Sequence, residues 1–385
     1  MKDIYIVAAK RTPFGRYRGF FKEQSATDLG VLALTKTLEA IDLDPAEVEG
    51  VFMGNVIAAG LGENMARQVA LRSGLSETTV ATTVNDVCGS SLKALRLAQG
   101  QMMMGDLDLV AVGGSESMTN APFIVDKKYK DDAQNHLQNS MLVDALIDAF
   151  SGEHMGITAE NVAEEYNIAR QEMDEFSVNS HQKAVKAIKE DSFDEILPIT
   201  INGQTLTHDE SVRSDTNLEA LSNLKTVFKE DGKVTAGNAS PLNDGASMLI
   251  LATEDKVKEL NLKPIAKLGA FAEAGFDPAL MGYTPYYAVQ KLLDKNKTTI
   301  DDYDVFEVNE AFASQAVALK RDLKIPANKL NILGGAIALG HPLGATGTRL
   351  IATAISALNK VNGKRAIATL CIGGGQAIAY EIKRD

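Results

Sequence analysis

The amino-acid sequence predicts an α/β protein assembled from two related halves. Strand-like apolar runs alternate with helix-length segments from Ile4 to Ser115 and resume near Pro264, the pattern of sheets covered by crossover helices. Between Ser117 and about Asn243 the alternation lapses, polar residues cluster, and four of the five histidines collect; this stretch reads as a large, lid-like insertion. The C-terminal part then repeats the first. Pro45 to Asn55 and Ile300 to Asn309 each run from a helical segment through an acidic turn into a strand with a central phenylalanine, and each ends on asparagine. From Asn55 to Cys88 is 33 residues, and from Asn309 to His341 is 32. A helix follows each, then a strand ending in glycines, at Gly114 and Gly375. Agreement in order and spacing marks a duplication. It places Cys88 and His341 at equivalent positions that a cleft between halves would bring together.

Taken in order, Ile4 to Ala9 is an almost unbroken apolar run, as suits a strand buried on both faces. Lys10-Arg11-Thr12-Pro13 ends it, and the simplest reading of Arg11, Arg16 and Arg18 is a solvated loop. A helix from Thr27 or Asp28 to about Ala40 turns Leu29, Leu32, Ala33 and Leu38 inward. Gly50 to Ile57 is the next strand and Met65 to Leu71 a helix. Val80 to Val84 runs extended into Asn85-Asp86-Val87, Cys88 falls at the turn, and a helix starts at Ser90 or Ser91. Leu92, Leu95, Ala98 and Met102 recur at helical spacing, with Ala94 and Leu97 widening the apolar face. Met102-Met103-Met104 reads as helix-end core, and Leu107 to Val112 as a strand ending in Gly113-Gly114-Ser115. In the insertion, Ala159 to Lys189 reads as one long charged helix. Asp244 to Leu251 leads into a strand, Glu254 starts a short helix, Thr348 to Leu358 is a helix, and Ile367 to Leu370 a strand.

At 385 residues the chain has room for two or three domains, and its 45% apolar and 23% charged fractions suit a globular protein. A net charge of −12 argues against nucleic acid or an anionic membrane surface as partner, yet leaves room for a local basic pocket. Two cysteines are too few for a disulfide framework or a cysteine-rich metal site, and no cluster has metal-ligand spacing, so no cofactor is required. MKDIYIVAAKRTPFG lacks the features of a signal peptide, and no run reaches the roughly 18 apolar residues of a membrane span. The expectation is a cytoplasmic protein with both thiols reduced.

Chemistry collects at three places. Cys88, at a helix start, lies near unpaired N–H groups and the positive end of the helix dipole, which favour a thiolate; a plain buried cysteine is the competing reading. Asn331 to Gly347, NILGGAIALGHPLGATG, carries a histidine among five glycines that let backbone approach a ligand closely. It ends in neither the Lys-Ser/Thr of a phosphate loop nor the acidic residue of a dinucleotide fold. Cys371, followed by Gly373, Gly374 and Gly375, sits beside backbone N–H groups that suit an oxyanion; a tight turn after a core cysteine is the alternative. A thiol, an imidazole to take its proton and a second thiol suit acyl transfer with proton movement beside a carbonyl.

Six motifs in order, VNDVCGSSLKAL, GEHMGITAENVA, VTAGNASPLNDGAS, VNEAFA, GGAIALGHPLGATG and CIGGGQA, resemble the thiolase family over essentially the whole chain, most closely its short-chain acetyl-CoA acetyltransferases. The resemblance implies the thiolase fold: two duplicated α/β domains with mixed sheets covered by helices, plus an inserted covering loop domain. It divides the chain into residues 1–117, completed by about 243–266, then 118–242 as the covering loop domain, and 267–385. It implies that Cys88 is the nucleophile that becomes acetylated, that His341 activates it, and that Cys371 is the acid/base at the acetyl α-carbon and the CoA sulfur. Asn309, through a water, and His341 would stabilise the first oxyanion; the N–H groups of Cys88 and Gly373 would form the oxyanion hole of the acyl-enzyme. His154 and Ser240 would line the CoA pocket, Met155 would shape the acyl end, and Met281 belongs to a loop resembling the family's MG-x-x-P.

The implied reaction is the reversible condensation of two acetyl-CoA to acetoacetyl-CoA and CoA, with no cofactor and with a homotetramer favoured over a dimer. A broader degradative 3-ketoacyl-CoA thiolase and a catalytically silent, lipid-binding relative are the competing readings. A ketosynthase-like enzyme fits less well, because those pair one cysteine with two histidines. Two departures stand out. Ser91 replaces the family's usual glycine and is expected to be mild, even capping the helix. Tyr283, Tyr286 and Tyr287 in the Met281 loop are expected to pack at the domain boundary rather than narrow the acyl pocket.

Overall fold

The computed structural model describes residues 3–384. The first half contains β1 (Ile4–Arg11), α1 (Ala26–Ala40), β2 (Gly50–Gly54), α2 (Met65–Arg72), β3 (Val80–Val84), α3 (Ser90–Met104) and β4 (Leu109–Ser117). Helices α4 (Met155–Glu165) and α5 (Arg170–Lys189) follow in the insertion, and β5 (Asn243–Thr253) returns to the first half. The second half contains β6 (Ala266–Gly275), α6 (Pro285–Asn296), β7 (Val305–Val308), α7 (Ala313–Asp322), the single turn α8 (Ala336–Leu339), α9 (Leu343–Val361), β8 (Arg365–Ile372) and β9 (Gln376–Lys383).

The duplication is visible in the sheet, whose strand order is β7-β8-β9-β6-β1-β5-β4-β2-β3. Read outward from its centre, β1-β5-β4-β2 mirrors β6-β9-β8-β7. Strand β2 is parallel to β3 and β4, and β7 is parallel to β8; the other neighbours on this path are antiparallel. The place of β3 in the second half is held by the lone parallel bridge Phe306–Leu330. Among the described residues the two half-sheets are joined through Tyr5–Lys267 and Ile6–Ala266.

Helices α3 and α9 pack together between the half-sheets. Every residue of α9 from Leu343 to Leu358 is buried, as expected of a helix enclosed on all sides. Small residues make that possible: a Cβ on Gly347 would lie 2.7 Å from the Leu92 nitrogen of α3. At the same contact the Ser91 hydroxyl accepts the Thr348 N–H (3.1 Å). Ser91 thus joins α3 to α9 and does not cap its own helix. Helix α1, by contrast, starts on a capping box between Ser25 and Asp28, which satisfies two end groups at once.

Several expectations are corrected by packing. Leu97 is 45% and Met104 74% exposed, so the buried face of α3 is narrower and ends at Met102. The expected long helix from Ala159 is two helices, because Asn167 takes a left-handed φ of 54° between them, a conformation that ends helices. Strand β4 continues past Ser115 to Ser117, held in register by β5 through Ser115–Ala246 and Asp244–Ser117.

Arg11 is not a solvated loop residue. Its guanidinium is fully buried and grips Asp209 of the insertion with two bonds (2.6 and 2.9 Å), with Glu195 at 3.4 Å. Glu195 also accepts from Thr353 and Ser356 of α9. This network ties the insertion to β1 and α9; removing one partner from such a buried pair typically costs about 3–5 kcal/mol. Among the described residues no helix is long and apolar enough to cross a membrane.

Candidate active site

Cys88 occupies a tight turn between β3 and α3. Val87 before it has φ 47°, a conformation costly for a β-branched residue, by about 1–3 kcal/mol. The turn is held by local bonds: Asn85 Oδ1 accepts the Val87 N–H (3.0 Å), while Ser90 Oγ accepts from Asp86 N (2.9 Å) and donates to Val87 O (2.6 Å). Cys88 is thereby pushed out, partly exposed, into a cavity of about 570 Å³.

The same cavity is lined by His341, Gly373, His154, Met155, Ser240 and Met281. These come from five separate stretches of chain. A second cavity of about 720 Å³ adjoins it, sharing Arg213, Ala236, Ala239, Pro241 and Leu242 and adding Arg16 and His181. Together they make a passage from a polar mouth to a mainly apolar end at Cys88. Asn309 and Cys371 are buried beside these groups, each 1% exposed: Asn309 faces His341, and Cys371 neighbours Cys88.

His341 precedes α9. Its Nδ1 is 2.6 Å from Thr346 Oγ1, and that hydroxyl donates to Pro342 O at 2.9 Å. The hydroxyl proton is thus committed, so Nδ1 carries the ring proton and Nε2 keeps a lone pair. Nε2 faces Asn309 Nδ2 at 3.4 Å. Arg349 Nη2 donates to Asn309 Oδ1 (3.2 Å), which sets the orientation of that amide. Asn243 Oδ1 accepts the His341 N–H at 3.1 Å.

Burial decides the charge states. It pushes the Cys88 thiol up to about 12, outweighing the Gly373 N–H directed at its sulfur, with Glu116 and Asp86 adding to the rise. The thiolate expected from the helix start is therefore not the resting form. Burial, with Arg349 nearby, pushes His341 down to about 3. The free protein holds a neutral thiol and a neutral imidazole, so a proton must move during reaction. Cys371 is also raised, by burial and by the neighbouring Cys88, and its Sγ lies 3.8 Å from Gln315 Oε1.

Some residues of the site carried no sequence signal. Phe228 stacks on His154 with centroids 4.4 Å apart, and Thr346, Arg349 and Gln315 act one shell behind the cavity. Helical spacing alone marks α9 residues only as core; their partners lie in other segments. Tyr283 stacks on Tyr166 (3.9 Å) and donates to Asp322 (2.8 Å), and none of Tyr283, Tyr286 and Tyr287 lines the cavity at Cys88.

Two family models match the chain: "Thiolase, N-terminal domain" over residues 4–255 and "Thiolase, C-terminal domain" over residues 262–384. A "Probable acetyl-CoA acyltransferase" of Staphylococcus aureus (strain COL) is 46% identical over 100% of both chains. A protein of the same description from Staphylococcus aureus (strain bovine RF122 / ET3-1) is 45% identical over 100% of both. The crystal structure of human mitochondrial 3-ketoacyl-CoA thiolase in complex with CoA superposes with a TM-score of 0.96 at 40% identity, covering 100% of this chain and 98% of that one. Another crystal structure of human mitochondrial 3-ketoacyl-CoA thiolase gives a TM-score of 0.95 at 40% identity, covering 99% of this chain and 98% of that one.

Proposed function

The chain belongs to the thiolase family and is an acyl-CoA acyltransferase, and from that premise we propose that it is an acetyl-CoA C-acetyltransferase. The observation that carries the proposal is that Cys88, His341 and Gly373 line one mainly apolar cavity, with the Gly373 N–H directed at the Cys88 sulfur and the buried Asn309 amide 3.4 Å from His341 Nε2. In the proposed reaction His341 takes the Cys88 proton as sulfur attacks the acetyl-CoA carbonyl. The tetrahedral oxyanion is met by Asn309 and His341, and CoA leaves as the thiol with the proton of Cys371. The Cys371 thiolate so formed then removes an α-proton from a second acetyl-CoA, and the enolate carbon attacks the acetyl group on Cys88 while the N–H groups of Cys88 and Gly373 hold the oxygen. Collapse releases acetoacetyl-CoA, and His341 returns its proton to the Cys88 sulfur; thiolysis runs the same steps backward. Oxyanion donors of this kind typically lower the barrier by about 2.7–4 kcal/mol each.

Coenzyme A fits as the carrier, entering past Arg213 and His154 with its sulfur toward Cys88. Met155, Phe228, Met281 and Phe312 line the cavity, which supports a short acyl group. The degradative reading has support of its own, in the apolar wall of Met118, Met141, Ala145 and Leu146. Thiolysis separates them. We expect kcat/KM for acetoacetyl-CoA to exceed that for a C8 3-ketoacyl-CoA by about tenfold or more, as several unaccommodated methylenes would require. A preference for C8 or longer would overturn the short-chain assignment.

On the same basis we propose the division into residues 1–117 with 243–266, 118–242 and 267–385, a cytoplasmic location consistent with two free cysteines, and a homotetramer. Strand β3 ends the sheet with Val80 54% exposed, and Phe123 and Leu137 of the insertion are 65% and 50% exposed; edges and patches of this kind are normally covered. Sedimentation should return four chain masses for the wild type and a smaller species for Val80→Lys. One chain mass for the wild type would exclude the assembly.

A further inference from the structure

We propose that Glu116 is a positioning residue whose buried carboxylate holds the His341 turn of one half against the Cys88 side of the other. The duplication first singles it out. Phe52 pairs with Val112, and its counterpart Phe306 pairs with Ile367. Four residues beyond Val112 is Glu116, and four beyond Ile367 is Cys371. Three residues beyond the two phenylalanines are Asn55 and Asn309, and Cys88 and His341 each lie two residues before their helix. Each half therefore carries the same three positions. One set contains the reactive second thiol, and the other contains a carboxylate.

That carboxylate is fully buried and fully bonded. Oε1 accepts from Asn55 Nδ2 (2.9 Å) and Ile57 N (3.0 Å); Oε2 accepts from Val56 N (3.0 Å) and Gly344 N (2.9 Å). Three donors belong to the loop after β2 in the first half. The fourth, Gly344, lies in the first turn of α9, three residues past His341. A carboxylate there also complements the positive end of the helix. The backbone around it is too close for slack: a Cβ on Gly344 would sit 2.8 Å from Gly54 O and 2.9 Å from Ser115 O. An amide could not substitute. Glutamine has one acceptor oxygen, and its NH2 would oppose N–H groups that now donate.

The catalytic consequence rests on the proposed function, since it matters only if His341 serves Cys88; the structural tie does not. Purified full-length Glu116→Gln should show kcat for acetoacetyl-CoA thiolysis reduced about 100-fold with KM within about twofold, the cost of a misplaced group rather than of lost binding. Iodoacetamide labelling of Cys88, followed by peptide mass, should slow about fivefold, because displacing the imidazole that takes the thiol proton outweighs losing one of the smaller charges that raise the thiol. Glu116→Asp, which keeps the charge, should recover part of both. Unchanged kcat and unchanged labelling in folded Glu116→Gln would overturn the proposal, as would a lowered melting temperature with both intact. An inactive wild type would sink the functional reading, leaving labelling to decide the tie. If Glu116→Gln does not fold, Asn55→Ala removes one donor and should slow labelling in the same direction; normal labelling there would count against the proposal.

Discussion

Cys88→Ala should abolish acyl-enzyme formation and thiolysis together, lowering kcat/KM by a factor on the order of 10⁴ to 10⁶, as loss of a nucleophile does. The chain has one other thiol, Cys371, set beside Gln315 with its own part in proton transfer. The imidazole of His341 is held neutral but has no nucleophile to activate once the sulfur is gone. Stability should change little, since the turn is held by Asn85 and Ser90 rather than by the sulfur. The measurement is the intact mass of the protein after incubation with acetyl-CoA. The wild type should gain one acetyl group and the variant none; an acetylated variant that turns over would remove Cys88 from the mechanism.

Cys371→Ala should divide the reaction instead of stopping it. Attack by Cys88 on the first acetyl-CoA needs His341, Asn309 and the surrounding N–H groups, and all of these remain. Enolate formation needs a second proton carrier at the α-carbon, so condensation should fall by about 10² to 10⁴, the usual contribution of a general acid or base. Burial raises the Cys371 thiol, so its thiolate, once formed, is a strong base for the α-proton. The expected result is an acetylated but idle enzyme: full labelling by acetyl-CoA, little acetoacetyl-CoA. Near-normal condensation would mean another group handles the α-proton. Truncating a buried thiol beside Gln315 also leaves a small void, worth about 1 kcal/mol of stability, too little to explain a loss of this size.

Much of the fold was legible because the signals are local. Apolar runs and helical spacing located β1, α2 and α3 to within a few residues, and the repeat from Asn55 to Cys88 and from Asn309 to His341 disclosed the duplication without coordinates. The misses share one cause. Leu97, Met104, Arg11 and the break at Asn167 are settled by which neighbour arrives from elsewhere, and helical spacing cannot tell a face covered by another segment from one left in water. Ser91 is the plainest case. Its position at a helix start suggested a cap, yet its hydroxyl is claimed by Thr348, 257 residues away in the chain.

The reactive groups themselves follow from residue type and place: Cys88 at a turn before a helix, His341 among glycines, Cys371 beside backbone donors. What contact between the halves decides is their state. Burial makes Cys88 and His341 both neutral, reversing the charge that a helix start alone would favour. Thr346 selects the imidazole tautomer, Arg349 turns the Asn309 amide, and Glu116 ties the first turn of α9 to the loop after β2. A titrating group's charge depends on everything within a few ångströms of it, and here those neighbours come from chain segments up to hundreds of residues apart.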